Sequence, residues 1–112
     1  EEFDLRLREI NKESGIDGIF ALDEHASVAA LKFGITNGYK IPKELSIIGF
    51  ADGVWSRRLT PSLSTVSQHG PEIGEAAAHL LIKRLENLDD DYSYQTTVVK
   101  TELRHRNSTV KL

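Results

Sequence analysis

The chain has 112 residues, a length that fits one domain. Hydrophobic residues make up 39% and charged residues 28%, a composition that supports a packed core and argues against disorder. The formal net charge of −3 argues against a nucleic-acid-contacting surface, which normally carries a basic stripe. The absence of cysteine excludes disulfides and thiolate metal sites, and it fits the cytoplasm, where we expect the protein.

The apolar runs of the chain are too short for a membrane span, and its first residues do not resemble a signal peptide. No apolar run approaches the roughly 20 residues that span a bilayer. The first four residues, Glu1-Glu2-Phe3-Asp4, are acidic and unlike a signal peptide. The sequence also begins without Met, in what reads as the middle of a helix. We therefore expect the chain to be part of a longer protein.

The first half of the chain reads as helix, strand and helix. Residues 2–14 have helical composition, and Gly15 closes that segment. The short apolar run 19–22 follows a turn and predicts a strand buried on both faces. Asp23 is placed to cap the next helix, whose apolar residues repeat at helical spacing until Asn37-Gly38.

The second half continues the alternation. Residues 45–50 predict a second buried strand, a loop from Ala51 to Pro61 follows, and residues 63–66 predict a third strand. Pro71 suits the first turn of a helix. The apolar stripe of this helix consists of Ile73, Ala77, Leu80, Leu81 and Leu88. Residues 86–91 predict an acidic turn, residues 96–103 a last strand and residues 104–112 a tail.

Strands that alternate with helices predict an α/β fold with a parallel sheet and flanking helices. Ligands of such sheets bind outside the carboxyl ends of the strands. Polar side chains follow the three predicted strands in turn: Asp23-Glu24, Asp52 and Gln68. In a parallel sheet these residues converge on one edge, which makes that edge the candidate binding site.

The order of several short motifs resembles the lactose-repressor (LacI/GalR) family of transcription regulators. The resemblance covers residues 16–109. The matching pieces are Gly18-Ile-Phe-Ala-Leu-Asp-Glu24, Gly38-Tyr-Lys-Ile-Pro42, Leu45-Ser-Ile-Ile-Gly-Phe50, Thr60-Pro-Ser-Leu-Ser-Thr-Val-Ser-Gln68, Ile73-Gly-Glu-Ala-Ala77 and Arg106-Asn-Ser-Thr109. Each piece alone is weak, but their order and spacing together are specific.

The resemblance implies a two-lobed effector-binding core like that of type I periplasmic sugar-binding proteins, of which this chain is the incomplete carboxyl-terminal part. Residues 1–66 and 94–107 would belong to the second lobe, and the helix at 70–88 would cross to the first. The family's helix-turn-helix domain, which reads operator DNA, lies at the amino terminus and is absent from this sequence.

The effector site that the resemblance implies departs from the family pattern. Asp23 stands where the family has an effector-facing Asn, and it suits a sugar because hydroxyls donate to a carboxylate; helix capping alone is the alternative. Many members carry a ligand-contacting Asp where this chain has Ala51. The acid here is Asp52, which would point to the opposite side of an extended segment, so a turn-forming role is the alternative.

The other candidate residues for effector binding or dimerisation each have a purely structural alternative. Gln68 both donates and accepts hydrogen bonds, which suits a hinge or ligand contact, although it could be a loop amide. The ring of Trp55 could pack against the apolar face of a bound sugar, or Trp55 could belong to the core or to an interface. The resemblance implies a homodimer through Val28, Leu31, Lys32 and Leu59, unless Val28 and Leu31 pack on the sheet.

The sequence contains no recognisable catalytic or metal-binding set, so we expect neither enzymatic activity nor a cofactor. The four histidines lack metal-ligand spacing, and Arg104-His105-Arg106 reads as a solvated strand end. The expected function is a sugar-responsive regulator of operator DNA. The alternatives are a periplasmic sugar receptor, or a phosphoacceptor receiver domain that would use Asp23, Glu24, Asp52 and Thr65.

Overall fold

The computed structural model describes residues 2–87 and 93–111. Helices and strands alternate along these residues, as the sequence predicts. They are α1 (Glu2–Ser14), β1 (Gly18–Ala21), α2 (Glu24–Thr36), β2 (Ser46–Phe50), α3 (Val54–Arg58), β3 (Ser64–Ser67), α4 (Gly70–Glu86) and β4 (Glu102–Arg104).

The strands form one sheet in the order β1-β2-β3-β4. β1 runs parallel to β2, with Ile19 opposite Ile47, and β2 runs parallel to β3, with Ile48 opposite Ser64. The chain returns from the end of β1 to the start of β2 through α2, the crossover that a parallel pair requires. The predicted α/β fold with a parallel sheet and flanking helices is confirmed.

Helix α2 has the boundaries that its sequence predicts. The Asp23 carboxylate accepts a hydrogen bond from the Ala26 N–H at 2.8 Å, which satisfies one of the unpaired donors of the first turn. At the other end Gly38 has φ +77°, a left-handed conformation that glycine adopts without a steric penalty. These two residues fix where the helix begins and ends.

The core lies between α2 and the sheet. Its buried side chains are Ala30, Leu31, Phe33, Leu45, Ile47 and Leu63. A Cβ at residue 49 would collide with the hydroxyl of Ser27, so α2 can approach β2 this closely only because residue 49 is glycine. Full burial of a leucine such as Leu45 contributes about 1.5–3 kcal/mol.

The prediction that the first strand is buried on both faces is wrong. Ala21 is buried, but the side chains of Phe20 and Leu22 are 54% and 72% exposed. Successive residues of a strand point to opposite faces, and α2 packs on one of them. The other face carries Phe20 against Phe50, with ring centroids 6.4 Å apart in an edge-to-face arrangement.

The predicted last strand is also largely wrong. Regular strand structure is confined to Glu102–Arg104, and residues 96–101 form neither helix nor strand. Strand propensity of Thr and Val is realised only where the side chains pack against neighbours, and Val98 is 80% exposed. The loop predicted from Ala51 to Pro61 contains the short helix α3.

The chain divides into two compact units, one of residues 1–67 and 103–112 and one of residues 68–102. The first contains the core. In the second, α4 begins with Pro71 in its first turn as predicted, yet it buries no residue. Leu88 and most of the predicted acidic turn lie outside the described residues. The lobe boundaries at residues 66 and 94 stay a prediction.

Candidate functional site

The carboxyl ends of β1, β2 and β3 lie at one edge of the sheet, because the three strands are parallel neighbours. Asp23 follows β1 and Asp52 follows β2, so the topology brings both acids to this edge. Gln68 is exposed and is the first residue after β3. It belongs to the second compact unit.

Asp23 is exposed and has extended backbone angles, φ −149° and ψ 174°. Its Oδ1 accepts the Ala26 N–H, and its backbone carbonyl accepts both the N–H and the hydroxyl of Ser27. Among the described residues, no donor contacts Oδ2. The capping role of Asp23 is therefore observed, and it leaves one carboxylate oxygen accessible to a hydroxyl-bearing ligand.

Asp52 lies in a very different setting, since its side chain is only 4% exposed. Oδ1 accepts hydrogen bonds from Thr65 Oγ1 at 2.7 Å and from Arg106 Nη2 at 2.6 Å. Oδ2 accepts from Arg104 Nη1 at 2.6 Å, and Arg57 Nη2 lies 3.7 Å away. Both oxygens of this carboxylate are engaged by the protein itself.

The network around Asp52 shifts the acidity of the group. Burial is the largest single influence and by itself raises the pKa of Asp52. The hydrogen bonds from Thr65 and Arg106, together with the positive charges of Arg106 and Arg104, outweigh burial and bring the pKa below its usual 3.8. Asp52 is consequently an anion at neutral pH.

Arg106 connects the end of the chain to β3 and to the loop after β2. Besides binding Asp52, its Nη1 donates to the Leu63 carbonyl at 2.6 Å and to Thr65 Oγ1 at 3.0 Å. Two residues further, the Ser108 hydroxyl donates to the Ile47 carbonyl at 2.5 Å. We call Asp52, Thr65, Arg104, Arg106 and Ser108 the carboxyl-terminal clasp.

The clasp corrects the prediction that Arg104-His105-Arg106 is a solvated strand end followed by a tail. The side chains of Arg104 and Arg106 are 32% and 14% exposed, and both bind Asp52. Residues two apart in an extended chain point to the same side. That spacing, together with one acid after a buried strand, was the available signal.

Ala51 occupies the position where the resemblance implies a ligand-contacting acid. Its φ of 157° lies in a region that residues with a Cβ rarely adopt. The neighbouring Asp52 is held by the clasp. Of the two predicted effector acids, Asp23 and Asp52, Asp23 is therefore the one that keeps an accessible oxygen.

Trp55 lines a surface groove of about 540 Å³ between α2 and α3. The other residues that line it are Glu24, His25, Val28, Ala29, Lys32 and Leu59. The groove thus joins Trp55 to three of the four predicted dimer contacts. Leu31, the fourth, is 3% exposed and packs in the core on the sheet-facing side of α2, which removes it from the candidate interface.

Metal-binding clusters and membrane-spanning helices are absent from the described ranges, 2–87 and 93–111. Within them no group of three or more His, Cys, Asp or Glu side chains is arranged to hold a metal ion. Nor does any helix there have the length and apolar character needed to cross a bilayer.

Comparison with known proteins assigns the fold. The profile of the periplasmic binding protein-like domain matches residues 3–109. The ribose operon repressor of Halalkalibacterium halodurans is 38% identical over 96 residues, which cover 84% of this chain and 28% of the repressor. The HTH-type transcriptional regulator MalR of Clostridium butyricum is 31% identical over 99 residues, which cover 88% of this chain and 29% of MalR.

Solved structures agree with these matches. The transcription regulator CcpA of Lactococcus lactis superposes with a TM-score of 0.83 at 27% identity, over 97% of this chain and 40% of that one. A LacI family transcriptional regulator from Enterococcus faecium with bound ribose has a TM-score of 0.83 at 24% identity, over 98% and 40%. The chain spans less than a third of the length of the ribose operon repressor and of MalR.

Proposed function

Because the chain belongs to the periplasmic binding protein-like domain family, we propose that it is the effector-binding and dimerisation region of a LacI/GalR-type transcription regulator. The observation that carries the proposal is the family match over residues 3–109 together with relatives that are transcription regulators. A regulator that reads operator DNA acts in the cytoplasm and needs no catalytic set. Operator contact is assigned to an amino-terminal domain outside these residues.

The effector in this proposal is a sugar or a sugar derivative, bound at the carboxyl edge of the sheet. Support comes from the ribose bound to the Enterococcus faecium regulator and from the chemistry of Asp23. Its accessible carboxylate oxygen accepts hydrogen bonds from hydroxyl groups, which polyols supply in number. Gln68 stays a predicted hinge or ligand contact, and α4 stays a predicted element of the other lobe.

Asp52 has a positioning role in this proposal. Its oxygens hold Arg104, Arg106 and Thr65, so it fixes the backbone of the loop that carries Ala51. With alanine at the usual acid position, the site offers a ligand fewer acceptors than the family pattern does. We therefore expect effector preference to differ from that of relatives with an acid there.

Regulation follows from lobe closure. An effector shifts a closure equilibrium only by its differential affinity for the two states. A coupling of about 1–3 kcal/mol corresponds to a change of roughly 5–150-fold in operator affinity. The proposal also includes a homodimer, and its support is that Val28, Lys32 and Leu59 line one surface groove.

Calorimetry on the full-length gene product tests the effector site with a panel of pentoses and hexoses that includes ribose. For a sugar that binds the wild type, Asp23→Ala should weaken affinity at least tenfold, while Glu13→Gln, on exposed α1, should leave it unchanged. Asp23→Asn preserves the cap and separates ligand contact from helix stability. Unchanged sugar affinity in Asp23→Ala would remove Asp23 from the site.

The periplasmic sugar receptor is the second candidate, because its two-lobed fold gives the matched family its description. Sugar-dependent operator binding by the full-length product distinguishes the two. The receiver-domain alternative has lost its support, since the family match lies elsewhere and Asp52, its phosphoacceptor, has both oxygens engaged.

A further inference from the structure

His69 lies at the beginning of the second compact unit, one residue after the chain enters it. That unit starts at Gln68 and ends at Glu102. The backbone of His69 has φ 53° and ψ 55°, a left-handed conformation that histidine tolerates and that leads the chain from β3 into α4. The carbonyl of His69 accepts a hydrogen bond from the Ile73 N–H at 3.0 Å, so the first turn of α4 holds this residue in place.

Both nitrogens of the His69 ring face carboxylates of the same unit. Nδ1 lies 3.0 Å from Oε2 of Glu72, which belongs to the first turn of α4. Nε2 lies 3.7 Å from Oε2 of Glu102, the first residue of β4 and the last residue of the unit. Among the described residues, these two acids are the ion-pair partners of the ring, whose side chain is 21% exposed. His69 therefore connects the two ends of the unit.

Only the protonated ring satisfies both acids. A neutral imidazole has one N–H donor and the imidazolium has two, whereas an ionised carboxylate only accepts hydrogen bonds. Because Nδ1 lies at hydrogen-bond distance from Glu72, the single proton of a neutral ring is placed there. Nε2 then presents a lone pair to the Glu102 carboxylate. Loss of the second proton therefore keeps the contact with α4 and removes the attraction to β4.

Resting on the proposed function, in which the chain passes between lobes at both ends of this unit, we infer that protonated His69 ties the two crossovers together and makes the effector response sensitive to pH. We call His69, Glu72 and Glu102 the crossover clip. Histidine side chains change charge between about pH 5 and 8. The clip is closed at the acid end of this range and opens as pH rises through it. His69 is a positioning residue, because it acts on lobe closure and touches no ligand.

Amide hydrogen exchange of the full-length gene product tests the clip without any ligand. After correction for the intrinsic pH dependence of exchange, peptides that cover residues 68–76 and 100–105 should be about two- to fivefold better protected at about pH 5.5 than at about pH 8.5, the size expected of a partly exposed ion pair. His69→Asn removes the charge with a residue that tolerates the left-handed backbone, and Glu102→Gln removes the acid. Both variants should lose this pH dependence. His79→Gln is the matched control and should retain it, because His79 faces Glu75 of its own helix at 3.9 Å.

Calorimetry with the panel of pentoses and hexoses tests the coupling to effector. For a sugar that binds the wild type, affinity should differ about two- to fivefold between the two pH values, and His69→Asn should remove this difference while His79→Gln keeps it. Exchange that is independent of pH in the wild type, or that stays dependent on pH in His69→Asn or Glu102→Gln, overturns the clip. A clip confirmed by exchange, with sugar affinity independent of pH, overturns its coupling to the effector. If no sugar binds, the proposed function fails, and exchange alone still decides whether the clip exists.

Discussion

The two compact units of the chain use apolar side chains in opposite ways. The sheet unit encloses Leu45, Ile47 and Leu63 almost completely, each with 1% or less of its surface exposed. Helix α4 in the other unit has an apolar stripe of similar composition, yet Leu81 and Leu85 are 60% and 66% exposed. Among the described residues, the core between α2 and the sheet thus covers its apolar side chains, whereas α4 leaves its apolar stripe largely exposed.

Hydrophobic periodicity in a sequence therefore identifies the apolar face of a helix, but it does not show which element covers that face. Most helical stability in proteins comes from burial of the apolar face rather than from propensity, and α4, which has 17 residues, fully buries none of its side chains. In the proposed architecture the first lobe provides that burial for α4. The stability of the two units should accordingly respond to mutation in different ways.

The largest effect should come from the core. Leu45→Ala removes a side chain with 0% exposure and should lower the free energy of unfolding of the 112-residue chain by about 2–5 kcal/mol, through lost burial and a cavity. Urea unfolding monitored by circular dichroism measures the change. A loss below about 1 kcal/mol would mean that the sheet unit is not the stable part.

Asp52→Asn should cost roughly 3 kcal/mol at pH 7, because it leaves two arginines without their shared carboxylate. The folded pKa of Asp52 lies below its usual 3.8, so its contribution to stability is present above that value and is lost as pH falls through the folded pKa. The difference between wild type and variant should therefore shrink in acid. Asp17→Asn, at an exposed site, should show little difference at either pH.

A smaller effect is expected at the cap of α2. Asp23→Ala removes the acceptor for the Ala26 N–H and should cost about 1 kcal/mol, whereas Asp23→Asn should cost little because asparagine caps equally well. Urea midpoints of the two variants give the comparison. Equal losses in both would show that the negative charge, and not the capping hydrogen bond, matters.

The smallest effect should come from α4. Leu81→Ala in the 112-residue chain should change the free energy of unfolding by less than about 0.5 kcal/mol, because its side chain is 60% exposed. The same substitution in the full-length product should cost several times more if another lobe covers the helix. Equal small losses in both proteins would mean that α4 stays uncovered.

The fold was predictable where local signals agree. The strands β1, β2 and β3 begin and end within one residue of the predicted ranges, because turns and caps such as Asp17-Gly18 and Asp23 bound each apolar run. Residues 96–101 show the limit of this reasoning. Their strand propensity is local, but a strand also needs a neighbour, which the sequence does not name.

The sequence predicts which edge of the sheet carries the candidate site, but it does not predict which acid there is free to bind a ligand. Parallel strands dictate that Asp23 and Asp52 lie at one edge, and both do. Which acid is free to bind depends on Arg104 and Arg106, more than 50 residues from Asp52 in the chain. A single sequence does not pair such distant charges, and Arg104-His105-Arg106 therefore looks like a solvated strand end in the sequence.

The carboxyl-terminal clasp also has a consequence for the order of events during synthesis. Arg106 meets Asp52 across 54 residues and Ser108 meets Ile47 across 61. Pairings of such high sequence separation are closed late, because the intervening loop loses its entropy before the contact forms. A ribosome therefore releases all three parallel strands before it releases the residues that tie them together. The nascent sheet completes these polar contacts only when residues 104–108 have emerged.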